Sequence, residues 1–576
     1  MDKNKHHTED KHDNRSGAKF SLMSKDVWVG EYDYGYLCMP VLNPWGKSQE
    51  RELPFYGPNE RLPVILTFLM GFQHSLSMVG GIITPPLLAG LADPTDDKRY
   101  QGALISYSLI VSGLTTIVQV TSLKIPRTPY YLGSGLLSVM GTSFTFLPIV
   151  QESVRAQTSD GSVDFPTAYG NLLGVFLVGS LVEAAMSFVP TRFLRAVFPP
   201  YISGLTIFLI GASLVGSGVN NWGGGAFCAN NPGAGCGVGQ SGLPFGSPAY
   251  FGLGFFVVVV TLGLELFGSP FMRSCQVALG LLIGYILAAV TTDSNGDGYI
   301  SSSTIESAPV ITFLWTTKFP IGFYAPALLP VLIGFVVSGV ETIGDLTATG
   351  EASGLEPNSE EQASAVQGGL LGDAVNSAFA ALAFSMPNTT FSQNNGVVSL
   401  TRVASRLAGF GCACWLLLYG IFGKVGAFFT SIPNPVLGGM TTLLFANIAM
   451  SGIKVITSVP LTRRVRFIVS IALAFGLGVT IVPSWTKRLL PCEKVADSPG
   501  LSGLCLGASL TISTGYAIGC LVALVLHAIL PSDPPAGNDA NMYVSSVRAG
   551  HVDEDVKETG GVDLEADSST HFKTMA

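Results

Sequence analysis

Charge is what this 576-residue chain has least of. Asp, Glu, Lys and Arg make up 12% of it, against about 25% in soluble proteins. Most of the chain must therefore face lipid or other apolar segments. Histidine is scarce too, at 7 residues, and only His74 and His527 fall in apolar segments. No Ser/His or His/Glu spacing suited to catalysis surrounds either, so an enzyme is not expected. The nine cysteines contain no Cys-x-x-Cys and no zinc or haem pattern, so no metal or cofactor is expected. The first twenty residues lack the apolar run of a signal peptide. The net charge of −8 resides largely in the tails, and no nucleic-acid partner is expected.

What is abundant is apolar, at 48% of residues, together with 68 glycines and 34 prolines, a mixture that suits close helix packing and interrupted spans in a membrane. Fourteen apolar segments can be marked: 62–83, 102–122, 130–156, 167–190, 197–218, 248–270, 273–291, 325–348, 364–386, 388–404, 407–430, 435–454, 465–483 and 508–530. The fold class expected is an all-α, multi-pass membrane protein. The third and tenth segments are the irregular ones. The third carries Gly133-Ser134-Gly135 and then Ser138 to Phe144; the tenth carries Pro387-Asn388-Thr389-Thr390 before a polar dodecamer, Phe391 to Arg402. Both read as loop or strand followed by half-helix. Each falls third in a half of seven, and seven being odd, the halves must insert with opposite topology, the inverted-repeat plan of secondary transporters.

A helix from Asn394, a good helix starter, to Arg402 is about 12–14 Å long, roughly half of a ~30 Å hydrocarbon core. Gln393 then lies near mid-membrane and Arg402 at one surface. Irregular backbone at that depth survives only beside protein or a cavity, which makes the break a binding-site geometry. Five acids fall in the apolar segments: Glu183, Glu265, Glu341, Asp345 and Asp373. Each costs about 2.5–3.5 kcal/mol on insertion scales and so needs a reason. Glu341 and Asp345, four apart, share one helix face. A carboxylate at Glu341, the planar donors and acceptor of Gln393 and free N–H groups at two half-helix starts complement a flat ring of alternating C=O and N–H, a nucleobase. Phe144, at the third break beside Ser143, is placed to stack on such a ring, and Asn394 adds a second amide.

Gln393-Asn394-x-Gly396-x-x-x-x-Thr401-Arg402 resembles the signature of the nucleobase–ascorbate transporters. Gln73-His74 in the first segment and Glu341-Thr-Ile-Gly-Asp345 in the eighth keep it company, and the resemblance runs from about Asp33 to about Pro531. It implies a core domain of segments 1–4 and 8–11, a gate domain of segments 5–7 and 12–14, and an elevator-like movement of core against a dimerised gate. Relatives with Gln at the first motif position are typically carriers of xanthine and uric acid, and the fungal plasma-membrane members are the most similar. The function expected is therefore proton-coupled import of xanthine and uric acid. Glu341, Gln393, Phe144, Ser143 and Asn394 would bind substrate. Glu341, Asp345, His74, Gln73 and Asp373 would couple protons or organise the site, and Arg402, Thr401 and Tyr516 would gate. Carriage of other nucleobases or of inorganic anions, and a non-transporting nucleobase sensor, are the alternatives.

The expected division is a cytoplasmic arm at 1–60, core at 61–195, gate at 196–292, an extracellular loop at 293–323, core at 324–432, gate at 433–531 and a disordered cytoplasmic tail at 532–576. Within the arm, Glu31 to Tyr36 is aromatic enough to dock on the membrane domain. Eleven Lys and Arg follow even-numbered segments against seven after odd ones, which puts both tails and Arg402 in the cytoplasm. Cys228 and Cys236, and Cys492 and Cys505, then lie in outward loops where disulfides are permitted; both pairs are expected to bridge. Cys275, Cys412, Cys414 and Cys520 read as packing residues, and His527 as uninvolved. Asp293-Ser-Asn295-Gly-Asp297-Gly imitates an EF-hand start, but the twelfth position is Thr304 where a bidentate Glu is needed; a polar turn is expected.

Overall fold

The computed structural model describes residues 25–531 apart from 41–52, 94–96, 160, 226–227, 230–235, 237, 239–240, 294, 302, 358, 487–488, 491 and 493–498. The expected N-terminal extension before residue 25 and the tail from 532 lie outside the described residues.

The chain is built mainly from helices, and short strands interrupt two of its apolar segments. In order they are α1 (Val64–Gly90), α2 (Lys98–Val120), β1 (Met140–Thr142), α3 (Leu147–Thr158), α4 (Phe165–Ser187), α5 (Pro200–Trp222), α6 (Pro248–Phe267), α7 (Gln276–Val290), α8 (Leu328–Ala352), α9 (Glu360–Leu382), β2 (Asn388–Thr390), α10 (Gln393–Thr401), α11 (Arg406–Ile421), α12 (Asn434–Ile456), α13 (Arg463–Ile481) and α14 (Gly515–Ile529). An element stands at each expected apolar segment. Eight helices are by themselves long and apolar enough to cross a membrane, and Gly503–Ser513 with α14 forms a ninth candidate bent by 92°. α7 and α11 are shorter apolar helices, and α9 is long but carries several Glu, Gln, Asp and Asn residues.

The third and tenth segments are extended strand followed by short helix, as their Gly, Thr and Asn content predicted. Irregularity extends further than expected. The seventh, eleventh and fourteenth segments also break, at Cys275, Phe422 and Thr514. Gly420 and Gly423 flank the second of these breaks and Ser513 and Gly515 the third, where small residues weaken a helix.

The helices pack as two sets. α1, α2, α4, α8, α9 and α11 contact one another, and so do α5, α6, α7, α12, α13 and α14. Where the sets meet, Gln73 Nε2 donates to Ser274 Oγ at 3.1 Å, and the Phe144 ring lies edge-on to Phe445, centroids 6.0 Å apart. The aromatic arm docks: Tyr32, Leu37, Leu53 and Leu62 bury against Val398, Val403, Ala404 and Ala408. The Tyr32 hydroxyl donates to the Thr401 carbonyl at 3.0 Å, and Tyr56 N–H donates to that of Arg402 at 2.9 Å.

Both expected disulfides are present, Cys228–Cys236 and Cys492–Cys505. Cys275, Cys412 and Cys520 are buried packing residues, whereas Cys414 is exposed, because it faces outward beside Trp415 and Leu418 in an apolar groove. His527 is not a bystander: Nδ1 lies 2.6 Å from the Tyr201 hydroxyl and 3.1 Å from an Arg464 nitrogen. The calcium-like sequence is a closed turn. Asp293 Oδ1 accepts the N–H groups of Asn295 and Asp297, and Oδ2 accepts the Ser241 hydroxyl at 3.0 Å. The Asp297 and Asn295 amides hold this carboxyl below the usual aspartate range.

Candidate substrate site

Two unwound segments meet back to back inside the first helix set. β1 pairs antiparallel with β2, with Met140 opposite Thr390, Gly141 opposite Thr389 and Thr142 opposite Asn388. Bonds from Ser143 N–H to the Pro387 carbonyl (2.9 Å) and from Phe391 N–H to that of Val139 (3.1 Å) close the ladder at its ends. A lone strand pair in an apolar interior leaves its outer edges unpaired, which is costly. Side chains from flanking helices satisfy them. Thr116 Oγ1 on α2 accepts the Met140 N–H at 3.0 Å, and the Ser377 hydroxyl on α9 donates to the Asn388 carbonyl at 3.0 Å. The Asn388 amide also donates to Thr115 Oγ1 at 2.9 Å. Glycine is required at Gly141, since any Cβ there would run into the Phe391 ring.

α8 runs alongside and is stitched to the break by hydroxyls. The Thr342 hydroxyl donates to Asp373 Oδ2 and lies 3.4 Å from that of Thr389. Thr390 donates to Asp345 Oδ2 at 3.4 Å, and Thr349 donates to Asn395 Oδ1 at 2.5 Å. The pattern places Glu341, Asp345 and Thr349 on the α8 face toward the break, as four-residue spacing requires.

α10 begins at Gln393, one residue before the expected start, and ends at Thr401. Arg402 caps it in the left-handed conformation, φ 56°. Gln393 is exposed at the helix start and Glu341 is half-buried; these side chains keep free faces. Ser143 is buried and caps the turn that begins at Phe144, accepting Thr145 N–H at 3.3 Å. Asn394 is buried and does not cap the helix. Its amide nitrogen donates to the Leu137 carbonyl, and its side chain neighbours His74. His74 and Gln73 are fully buried on α1. Asp373 is fully buried on α9. Thr401 turns its hydroxyl onto the Val397 carbonyl at 2.8 Å, and Arg402 is exposed. Tyr516 is fully buried within the second helix set, its ring in the packed core.

Several site-forming residues carry no motif. Thr115, Thr116, Thr342 and Ser377 look in sequence like ordinary small polar residues of apolar helices, and Asn395 fills an unspecified position of the motif; only pairing reveals their use. Glu183, to which the sequence assigns no role, lies beside Asp373.

A family described as "Permease family" matches residues 66–485. The uric acid-xanthine permease of Emericella nidulans is 42% identical over 527 residues, 89% of this chain and 89% of the relative. The purine permease of the same organism is 41% identical, covering 90% of each. The xanthine permease XanP of Escherichia coli (strain K12) is 32% identical over 85% of this chain and 97% of its own length.

Proposed function

The chain belongs to this permease family, that of the nucleobase–ascorbate transporters, and from that premise we propose that it imports xanthine and uric acid by proton symport. It is a membrane transporter of purines rather than an enzyme. The observation that carries the substrate class is the set of free polar faces at the paired breaks. Glu341 lies on the α8 face toward the paired breaks, Gln393 starts α10 just after β2, and Phe144, the first aromatic after β1, is half-buried. A carboxylate accepts ring N–H, a primary amide matches adjacent C=O and N–H, and an aromatic covers a planar face.

The mechanism proposed is an elevator: the helix set around β1 and β2 slides against the set of α5–α7 and α12–α14. The first is the core and the second the gate, at the boundaries expected from the sequence, with fourteen crossings. Sliding would open contacts that span the sets, among them Gln73–Ser274 and Phe144–Phe445. The broad apolar face of α6, with Phe251, Phe255 and Leu262 exposed, supports a homodimer formed through the gate. Both tails are assigned to the cytoplasm of the plasma membrane.

The test is uptake of labelled xanthine with uric acid, hypoxanthine, uracil, ascorbate and sulfate as competitors, at two external pH values. Competition by uric acid alone, with accumulation driven by a proton gradient, is expected. Competition by sulfate would replace the purine reading, and binding without accumulation would make the chain a sensor.

A further inference from the structure

Behind the break lies a fully buried carboxyl pair. Glu183 stands on α4 and Asp373 on α9, two helices that pack along their length. Both residues are 0% exposed. Oδ2 of Asp373 accepts the Thr342 hydroxyl. Oδ1 of Asp373 and both carboxyl oxygens of Glu183 are buried without a hydrogen-bond donor, and the two carboxyls are within hydrogen-bond reach of each other. The groups facing Glu183 are Asp373 from α9 and Ser338 and Glu341 from α8. The Arg99–Asp97 and Arg155–Glu152 ion pairs, i,i+2 and i,i+3, lie elsewhere.

We propose that Glu183 and Asp373 share one proton, and that this pair is a proton-holding site of the carrier behind the substrate site. Two carboxylates in contact in a dry interior with no cation repel strongly. One proton between a Glu183 oxygen and Asp373 Oδ1 removes a charge and satisfies two of the three unpaired oxygens at once. The proton stays on oxygen throughout: it moves from one carboxyl to the other, or leaves from Asp373, and no other bond changes. Its affinity is tied to the substrate site in two ways. Glu341 acts on both members through space, so an ionised Glu341 strengthens the hold and a neutral one weakens it. Thr342, which donates to Asp373, also lies against Thr389 of β2, so movement of the break changes the donor set of the pair. The role in coupling rests on the symport reading; the shared proton does not.

The infrared spectrum of purified protein in lipid should show the C=O stretch of a protonated carboxyl at neutral pH. Glu183→Gln supplies an amide N–H to Asp373 in place of the shared proton, so one component of that band should disappear. Glu183→Asp keeps the carboxyl and should retain it. In reconstituted vesicles, Glu183→Gln should keep xanthine exchange at equilibrium but lose the pH dependence of net uptake, with Glu183→Asp again near the parent. A band and pH profile unchanged in Glu183→Gln would overturn the proposal. So would a Glu183→Asp variant as defective as Glu183→Gln, since that outcome assigns Glu183 a packing role. If uptake by the unmodified protein ignores an imposed pH gradient, the symport reading falls, and the infrared comparison still decides the pair.

Discussion

At the scale of single residues, the site divides into groups with free faces and groups already committed to the scaffold. Glu341 and Gln393 are in the first class; Asn394 and Ser143 are in the second, each with a hydrogen-bond partner in the protein, and Asp373 is held through Oδ2 alone. Glu341→Gln keeps shape but turns one acceptor oxygen into a donor. Losing a hydrogen bond to a charged group costs about 1.5–3 kcal/mol, roughly ten- to over a hundredfold in affinity. Xanthine binding and uptake at matched surface levels should fall by that factor, while Gln393→Glu should weaken xanthine transport and admit other nucleobases. Near-normal binding by Glu341→Gln would refute the site assignment. Arg402 predicts the opposite behaviour. It stands nine residues from Gln393, about 13 Å along the helix, and its positive φ suits glycine. Arg402→Gly should therefore leave equilibrium xanthine binding intact while changing uptake kinetics; abolished binding in folded protein would move the site.

At the scale of elements, the short strands persist because other helices complete their hydrogen bonding. Thr116→Val removes the acceptor of the Met140 N–H and leaves a buried donor unpaired, which costs about 1–3 kcal/mol. Thermal unfolding in detergent should show a lower midpoint, with Thr116→Ser restoring most of it; an unshifted midpoint in Thr116→Val would mean that the strand edge finds another acceptor. The extended character of residues 388–390 and the half-helix after them were legible from Asn-Thr-Thr and from the motif. Their antiparallel pairing with residues 140–142, some 250 residues away, was not, because strand register depends on contacts that no local pattern encodes. The same holds for the breaks at Cys275, Phe422 and Thr514, where apolar composition continues across a change of direction.

At the scale of the whole molecule, the two helix sets touch through Gln73 on α1 and Ser274 just before α7. If they slide during transport, a covalent bond at this point must stop them. The double variant Gln73→Cys, Ser274→Cys should lose xanthine uptake on oxidation and regain it on reduction, while each single variant remains insensitive. Full uptake by protein shown to be cross-linked would exclude relative movement of the sets at that contact. The docked aromatic arm adds a further restraint, since Tyr32 and Tyr56 hold the carbonyls at the far end of α10.

Composition by itself determined that this protein lives in lipid, and segment length with Gly and Thr clustering determined where its helices run and where two of them break. The polar residues that bear on substrate were also readable, because a charge or amide in an apolar segment is conspicuous. Only the tertiary structure decided which of those groups keep a free face and which are used up. It also decided that Glu183, isolated in sequence, meets Asp373 across two packed helices. Burial and pairing are properties of the surroundings of a side chain, and those surroundings here come from segments up to several hundred residues away.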